Sequence, residues 1–354
     1  MRIRFLLFCL PMLVLLAACG KTDAPVRLDF VGATGLTSGN RTVAAGDTLV
    51  THAYAEGTDK ALQRRLRIEV TYEPGPTPIL YPIPTGSFNA ANVPKARTIV
   101  YLDALLPAAS SSNGSRYGTL FVNGLMARTT SGRETWTYTA TDASGQTATR
   151  AYRLTVRRND SAAVFHEYPL ILRPLPDSAI RAAAVLDSRR VFLNLRLGLL
   201  LPRYGVLNST GPNNANTQQP NQKLIDLVCV ANRAGTAVSL AAPADPASGV
   251  PRNGNNWPAP RRATKIHAVG LTAAQFTNAT TAASFEAAFN ASTPYRLPGA
   301  AISDQTTGPL ARDQVIAFEA LDDNDTKYYA LLKVTALTGG TNPVLTCQVK
   351  VQKY

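Results

Sequence analysis

Residues 134–156 constrain the fold of this chain more than any other stretch, because their apolar side chains recur at every second position. Trp136, Tyr138 and Ala140 fall on one face of a strand, and Thr135, Thr137 and Thr139 fall on the other. Asp142-Ala143-Ser144-Gly145 interrupts the run with turn-forming residues, and the chain returns with Tyr152, Leu154 and Val156 on a common face. A period of two in both arms calls for an antiparallel hairpin with one dry face, not for a helix.

The same alternation recurs along the chain. Residues 41–50 read as two strands about the turn Ala45-Gly46-Asp47, and residues 66–72 as a half-buried strand. Residues 74–84 carry Pro74, Pro76, Pro78, Pro82 and Pro84, which remove ladder donors and mark an irregular or edge segment. Further strands are expected at residues 190–195, 224–230, 265–269, 315–321, 328–335 and 344–352. Residues 191–201 contain Asn194, Arg196 and Gly198, so they read as two short strands around a turn and not as a membrane span. Residues 211–222 form a polar loop, and Thr281 caps a short helix with Phe285, Ala288 and Phe289 on its apolar face. The expected fold class is mainly β: two β-sandwich-like domains, the second with one or two short helices.

The N-terminus carries a different signal. Arg2 and Arg4 give a basic start, an apolar stretch follows, and small residues lead into Leu16-Ala17-Ala18-Cys19. This run resembles the lipobox of bacterial lipoproteins, which implies that the Cys19 thiol is lipidated and becomes the mature N-terminus. The apolar stretch is shorter than the roughly 20 residues that span a bilayer. The organisation that follows is a signal peptide (1–18), a tether (19–26), a first domain (27–158), a linker (159–169) and a C-terminal domain (170–354). Residues 138–149 resemble the last two strands of bacterial immunoglobulin-like domains, a likeness that implies fold and not function. The second half resembles C-terminal regions of predicted Bacteroidota lipoproteins, through Lys223-Leu224-Ile225-Asp226-Leu227-Val228, Ala263-Thr264-Lys265, Leu271-Thr272-Ala273-Ala274-Gln275-Phe276 and the closing residues 328–353. No activity comes with that resemblance.

Arg2 and Arg4 would leave with the signal, so 36 basic residues fall to 34 against 23 acidic ones, a net charge of +11. The cations are scattered in pairs such as Arg64-Arg65, Arg157-Arg158, Arg189-Arg190 and Arg261-Arg262, without aromatics between them. A basic protein near a membrane can meet anionic lipid or acidic polysaccharide, but scattered pairs read by default as a solvated basic surface, and they speak against a nucleic-acid partner. Two cysteines remain in the folded part, Cys229 and Cys347, each on a predicted strand. They are a candidate disulfide or, equally, two buried thiols.

No catalytic motif stands out. His52, His166 and His267 lack metal-ligand spacing, and no cofactor is expected. Asp322-Asp323-Asn324-Asp325 lacks the glycine of a calcium loop and has Lys333 where its glutamate belongs, so it reads as a hairpin turn. Trp257, between Asn256 and Pro258 and followed by Arg261-Arg262, is the candidate for stacking on a sugar ring or else a loop aromatic folded onto its domain. Tyr72, Tyr81 and Tyr101 invite the same reading. Asp47-Thr48-Leu49, Asp160-Ser161-Ala162 and Asp177-Ser178-Ala179 resemble the O-glycosylation sequon of the Bacteroidota envelope.

The expected function is a noncatalytic, lipid-anchored envelope protein that binds a glycan or protein partner or serves a structural role. One alternative is a polysaccharide hydrolase using carboxylates among Asp304, Asp313, Glu319 and Asp322. Another is an accessory subunit of an outer-membrane uptake complex, resembling the glycan-binding lipoproteins of starch-utilisation systems in architecture. Gly20 after the cysteine, in place of Asp, favours the outer membrane by analogy with enterobacterial sorting. Because the thiol is the lipid acceptor, Cys19→Ala should abolish lipid labelling and release the protein or stall its processing. Unchanged membrane retention and mass in that variant would end the lipoprotein reading.

Overall fold

The computed structural model describes residues 26–57, 65–74, 96–105, 110–113, 116–142, 144–157, 165–174, 189–207, 219–250, 257, 260–296, 302–322 and 325–353. Cys19 with its signal and the tether as far as residue 25, the proline segment from residue 75, Tyr81, residues 159–164 of the linker, and residues 211–218 of the polar loop lie outside the described residues, while Val26 at the tether's end already belongs to the first strand.

The fold is mainly β, built from sheets that are antiparallel except for one parallel pair and that pack face to face. The first sheet runs β1 (Val26–Phe30), β3 (Thr48–Gly57), β7 (Arg116–Met126) and β6 (Ser110–Asn113). The second runs β2 (Arg41–Ala44), β9 (Thr147–Arg157), β8 (Gly132–Thr141), β4 (Arg65–Pro74) and β5 (Arg97–Leu105). Their facing side chains share one core, in which the Phe30 ring meets Tyr138 at 5.0 Å and Tyr152 at 5.4 Å between centroids.

The β8–β9 hairpin forms as its alternation demands, with Trp136 opposite Tyr152 and Trp136, Tyr138, Tyr152 and Leu154 all buried. Residues 41–50 form two strands but not a hairpin. β2 pairs with β9 in parallel, while β3 pairs with β1 and β7, so the turn at Gly46 (φ 84°) carries the chain from one sheet to the other. The two strands and their turn are as expected, and the structure adds their partners.

The third sheet runs β12 (Leu199–Pro202), β11 (Arg190–Asn194), β13 (Leu227–Ala231) and β14 (Val238–Ala241). The fourth runs β10 (Phe165–Leu172), β20 (Val344–Gln352), β19 (Lys327–Thr338), β18 (Val315–Leu321), β15 (Lys265–Val269), β16 (Thr293–Arg296) and β17 (Ile302–Ser303). Among the described residues there are four short helices, more than the one or two expected: α1 (Arg203–Leu207), α2 (Gln219–Gln222), α3 (Ala273–Asn278) and α4 (Ala282–Asn290). Thr281 caps α4 in a capping box with Ser284, and Phe285 and Phe289 are its buried face. Helices α3 and α4 cover one side of the fourth sheet through Phe276, Phe285 and Phe289. The third sheet covers the other side, where Leu193, Leu227 and Leu240 join Ile316, Leu332 and Val349 in one core. Cover on both faces explains why β18 is a nearly unbroken apolar run.

The expected linker needs correction in its second half. Phe165–Leu172 is strand β10, paired with β20 over its whole length. Pro169 is tolerated because β10 is the edge of its sheet and a missing donor costs nothing there.

The two halves also share a core. Phe192, Tyr204, Leu224 and Trp257 from the second half pack in the same cluster as Tyr101, Trp136 and Leu154 from the first. Hydrogen bonds stitch this junction: Thr129 Oγ1 donates to Gly198 O (2.9 Å), Asn221 Nδ2 to Val100 O (2.6 Å) and Tyr204 OH to Asn123 Oδ1 (3.1 Å). Gly198 sits at φ 58°, and a Cβ there would lie 1.9 Å from Thr129 Oγ1. Gly198→Ala should therefore cost at least about 2 kcal/mol, from left-handed strain plus the clash. Denaturant unfolding should show one transition for both halves at a lower midpoint; an unchanged midpoint would show that the junction yields without cost.

Candidate functional site

Asp226 lies at the start of the run that becomes β13 and is fully buried. Its carboxylate accepts hydrogen bonds from the Leu195 backbone N–H (2.7 Å), the Tyr328 hydroxyl (2.7 Å) and Arg262 Nη1 (2.6 Å). Burial pushes its pKa above the ordinary carboxylate range, and the Arg262 charge with the three donors opposes that rise. Arg262 also donates to Leu321 O at 2.6 Å, so the guanidinium is held in place from two sides.

That anchored arginine forms part of the wall of a cleft of about 730 Å³ between β5 of the first half and the second half. Arg97, Lys223, Arg261 and Arg262 line it, against Asp322 and Asp325. Both acidic groups sit in the β18–β19 turn. Asp322 is bound to Arg196 at 2.9 Å, and its Oδ1 accepts from Thr326 N at 2.9 Å. The turn reading of this acidic run therefore holds for Asp322 and Asp325, while Asp323 and Asn324 lie outside the described residues. Arg97 is held below its ordinary pKa by partial burial and by the charges of Arg262 and Arg128. Arg128 is buried over the Tyr72 ring at 3.7 Å and 3.1 Å from Glu134, and its Nη1 has no hydrogen-bond partner among the described residues. The chemistry on offer is a fixed positive potential next to apolar surface from Ile99 and Leu224.

The residues singled out from sequence fare unevenly. Of the two readings of Trp257 the structure takes the loop aromatic folded onto its domain and corrects the sugar-stacking one: it is 2% exposed and packs on Phe192 at 5.9 Å. Tyr72 and Tyr101 are likewise buried. Cys229 and Cys347 are free thiols, both buried in the core between the third and fourth sheets. Burial raises both thiol pKa values, and each behaves as a small apolar side chain.

Among the proposed carboxylates, burial works to raise the Glu319 pKa, but the ammonium groups of Lys265 (2.9 Å) and Lys327 (3.4 Å) outweigh it and hold the group below its ordinary value. A general acid needs the opposite shift. Asp313 is exposed beside Arg312, and Asp304 touches β15 through a backbone bond from Ile266 N to its carbonyl. His267 stacks on Phe289 at 4.2 Å, with Nδ1 3.1 Å from Ser292 Oγ. That hydroxyl donates to Phe289 O at 2.5 Å, so its proton is committed to a carbonyl. His52 and His166 lie on β3 and β10, in different sheets. Of the three sequon matches only residues 47–49 are described, with Thr48 exposed at the start of β3. Arg97 was not singled out from sequence, and Lys223 and Asp226 entered it only within the run 223–228 that carries a resemblance, not as site residues.

No family model matches the chain, and no curated protein matches it. A DUF4466 family protein from Parabacteroides merdae has a similar solved structure, at 10% identity, over 94% of this chain and 99% of that one, with a TM-score of 0.32. A likeness of that degree carries no functional argument.

The Asp226–Arg262 pair generates a direct test. Arg262→Ala would leave a buried carboxylate without its cation, so unfolding free energy should fall by about 3–5 kcal/mol. A loss below about 1 kcal/mol would show that solvent reaches Asp226 and that the pair does not anchor the cleft.

Proposed function

We propose that this protein is a lipid-anchored, noncatalytic component of the bacterial outer membrane that captures an acidic glycan in its junction cleft. The observation that carries the reading is the cleft lining: once Arg262 is set against Asp226 and Asp322 against Arg196, the cations Arg97, Lys223 and Arg261 face the single carboxylate of Asp325. The lipobox-like run ending at Cys19 supplies the anchor, and the net charge of the remaining chain favours acidic partners near the membrane. The immunoglobulin-like hairpin and its sandwich supply the scaffold of a binding module. Ion pairing of Glu319 and Asp322 supports a noncatalytic role over the hydrolase alternative. A place as an accessory subunit of an uptake complex is compatible with this reading and adds partners without changing the site.

Lys223 is the residue to test, since it is exposed on the cleft wall and its substitution leaves the Asp226 anchor intact. Affinity electrophoresis in polygalacturonate should retard the protein, and dextran should not. Lys223→Glu should weaken the retardation at least about fivefold, and raising salt should weaken it further as the Debye length falls below about 8 Å. Equal mobility of wild type and Lys223→Glu in polygalacturonate would remove the cleft from the proposal.

A further inference from the structure

A second hollow, of about 480 Å³, lies against the third sheet, and alternation along the strands decides what lines it. On β13, Leu227, Cys229 and Ala231 pack into the core shared with the fourth sheet, while Val228 and Val230 turn to the opposite face. On β14, Val238 and Leu240 enter that same core, and Ala237 and Ser239 line the hollow. Ser239 stands directly opposite Val230. The floor is therefore apolar, with one hydroxyl set into it.

Leu207 at the end of α1, Val250 and the short 3-10 turn Pro246–Ser248 form the walls. The turn packs on β13 and β14 and is held by its own bonds. Asp245 Oδ1 accepts from Ala247 N at 2.7 Å, and Ser248 Oγ accepts from Val250 N at 3.3 Å. The cavity is thus pre-formed, and its volume falls in the roughly 300–1,000 Å³ range of small-molecule pockets.

Most polar groups of the lining are met within the protein. Thr306 Oγ1 donates to Leu240 O at 3.3 Å, and the Asn232 amide bonds Thr236 Oγ1 (2.9 Å) and Ala237 N (3.1 Å). Arg189, Arg203 and Arg233 also line the hollow, and each interacts within the protein. Ser239 differs: it is half-buried, and its Oγ has no hydrogen-bond partner among the described residues. A hydroxyl drawn away from water beside valines is stabilised by any ligand group that bonds it.

We propose that this pocket binds a neutral, mainly apolar molecule with a single hydroxyl or carbonyl group, which hydrogen-bonds Ser239 Oγ while its body covers Val228, Val230 and Val250. A serine hydroxyl both donates and accepts, so an alcohol and a ketone satisfy it alike. Three arginines in the lining repel a cation, and an anion would lose its water against the valines. The site is separate from the junction cleft, and its ligand does not depend on the glycan reading.

Naphthol, naphthalene and naphthoate share one ring system, and their fluorescence titrated against the full chain tests this assignment. Naphthol should bind saturably at one site per chain, with naphthalene about fivefold weaker for want of the hydrogen bond, and naphthoate also weaker. The preference for naphthol over naphthalene should vanish in Ser239→Ala and persist in Ser239→Thr, which keeps the hydroxyl. Naphthalene binding by both variants reports that the pocket still forms. Absence of saturable naphthol binding would overturn the proposal, as would naphthoate binding as tightly as naphthol. Survival of the naphthol preference in Ser239→Ala would overturn it equally.

Discussion

A single buried carboxylate organises the middle of this molecule. Asp226 holds the Leu195 N–H at the head of the β11–β12 turn, the Tyr328 hydroxyl on β19, and Arg262 on the approach to β15. The same turn is held again where Tyr168 OH donates to Leu195 O and Asn194 Oδ1 accepts from Leu197 N at 2.7 Å. A charge removed from water costs several kcal/mol unless each lone pair is met, and here three donors meet it. The third sheet, the fourth sheet and the cleft wall are thereby fixed relative to one another. Arg262 is stationary in the cleft wall because the buried anion behind it is.

A second polar chain does comparable service in the first sandwich. Thr51 Oγ1 lies 2.8 Å from Tyr152 OH, Tyr152 OH lies 3.2 Å from Tyr138 OH, and Asn123 links Tyr138 to Tyr204 across the junction. Burial pushes the Tyr138 phenol up to about 12, so these hydroxyls stay protonated and act as paired dipoles. An apolar core admits several slightly different packings, whereas a hydrogen-bonded chain through its centre admits far fewer.

Much of the fold was legible because strand alternation is local. The hairpin of Trp136 and Tyr152, the turn within residues 191–201, and the capped helix at Thr281 each announce themselves within a dozen residues or so. Strand β10 was not legible, since Pro169 reads as a strand breaker unless one knows that it lies on an edge. The partners of β2 and β3 were hidden for a related reason: a tight turn specifies that the chain reverses, not which sheet it joins. Trp257 stayed open between two readings because asparagine and proline neighbours signal a loop without saying whether its aromatic is buried, and here it is. Asp226 was a visible anomaly, a carboxylate in an apolar run. Its partners Arg262 and Tyr328 stand 36 and 102 residues away, beyond the reach of any pattern read along the chain. The cleft inherits that illegibility, being made of residues that only the fold brings together.

The order of strands in the fourth sheet also sets a timetable. β10 precedes every other strand of that sheet in the chain, yet its described pairing is with β20, with Glu167 opposite Lys350. Nearly the whole second half must be synthesised before that contact exists, and a pairing so distant in sequence is slow to close. Until then β10 and the unfinished sheet cannot lock. A sheet built this way can close its β10 edge only after its last strand has arrived, so the final residues of the fold decide when the first strand of that sheet is secured.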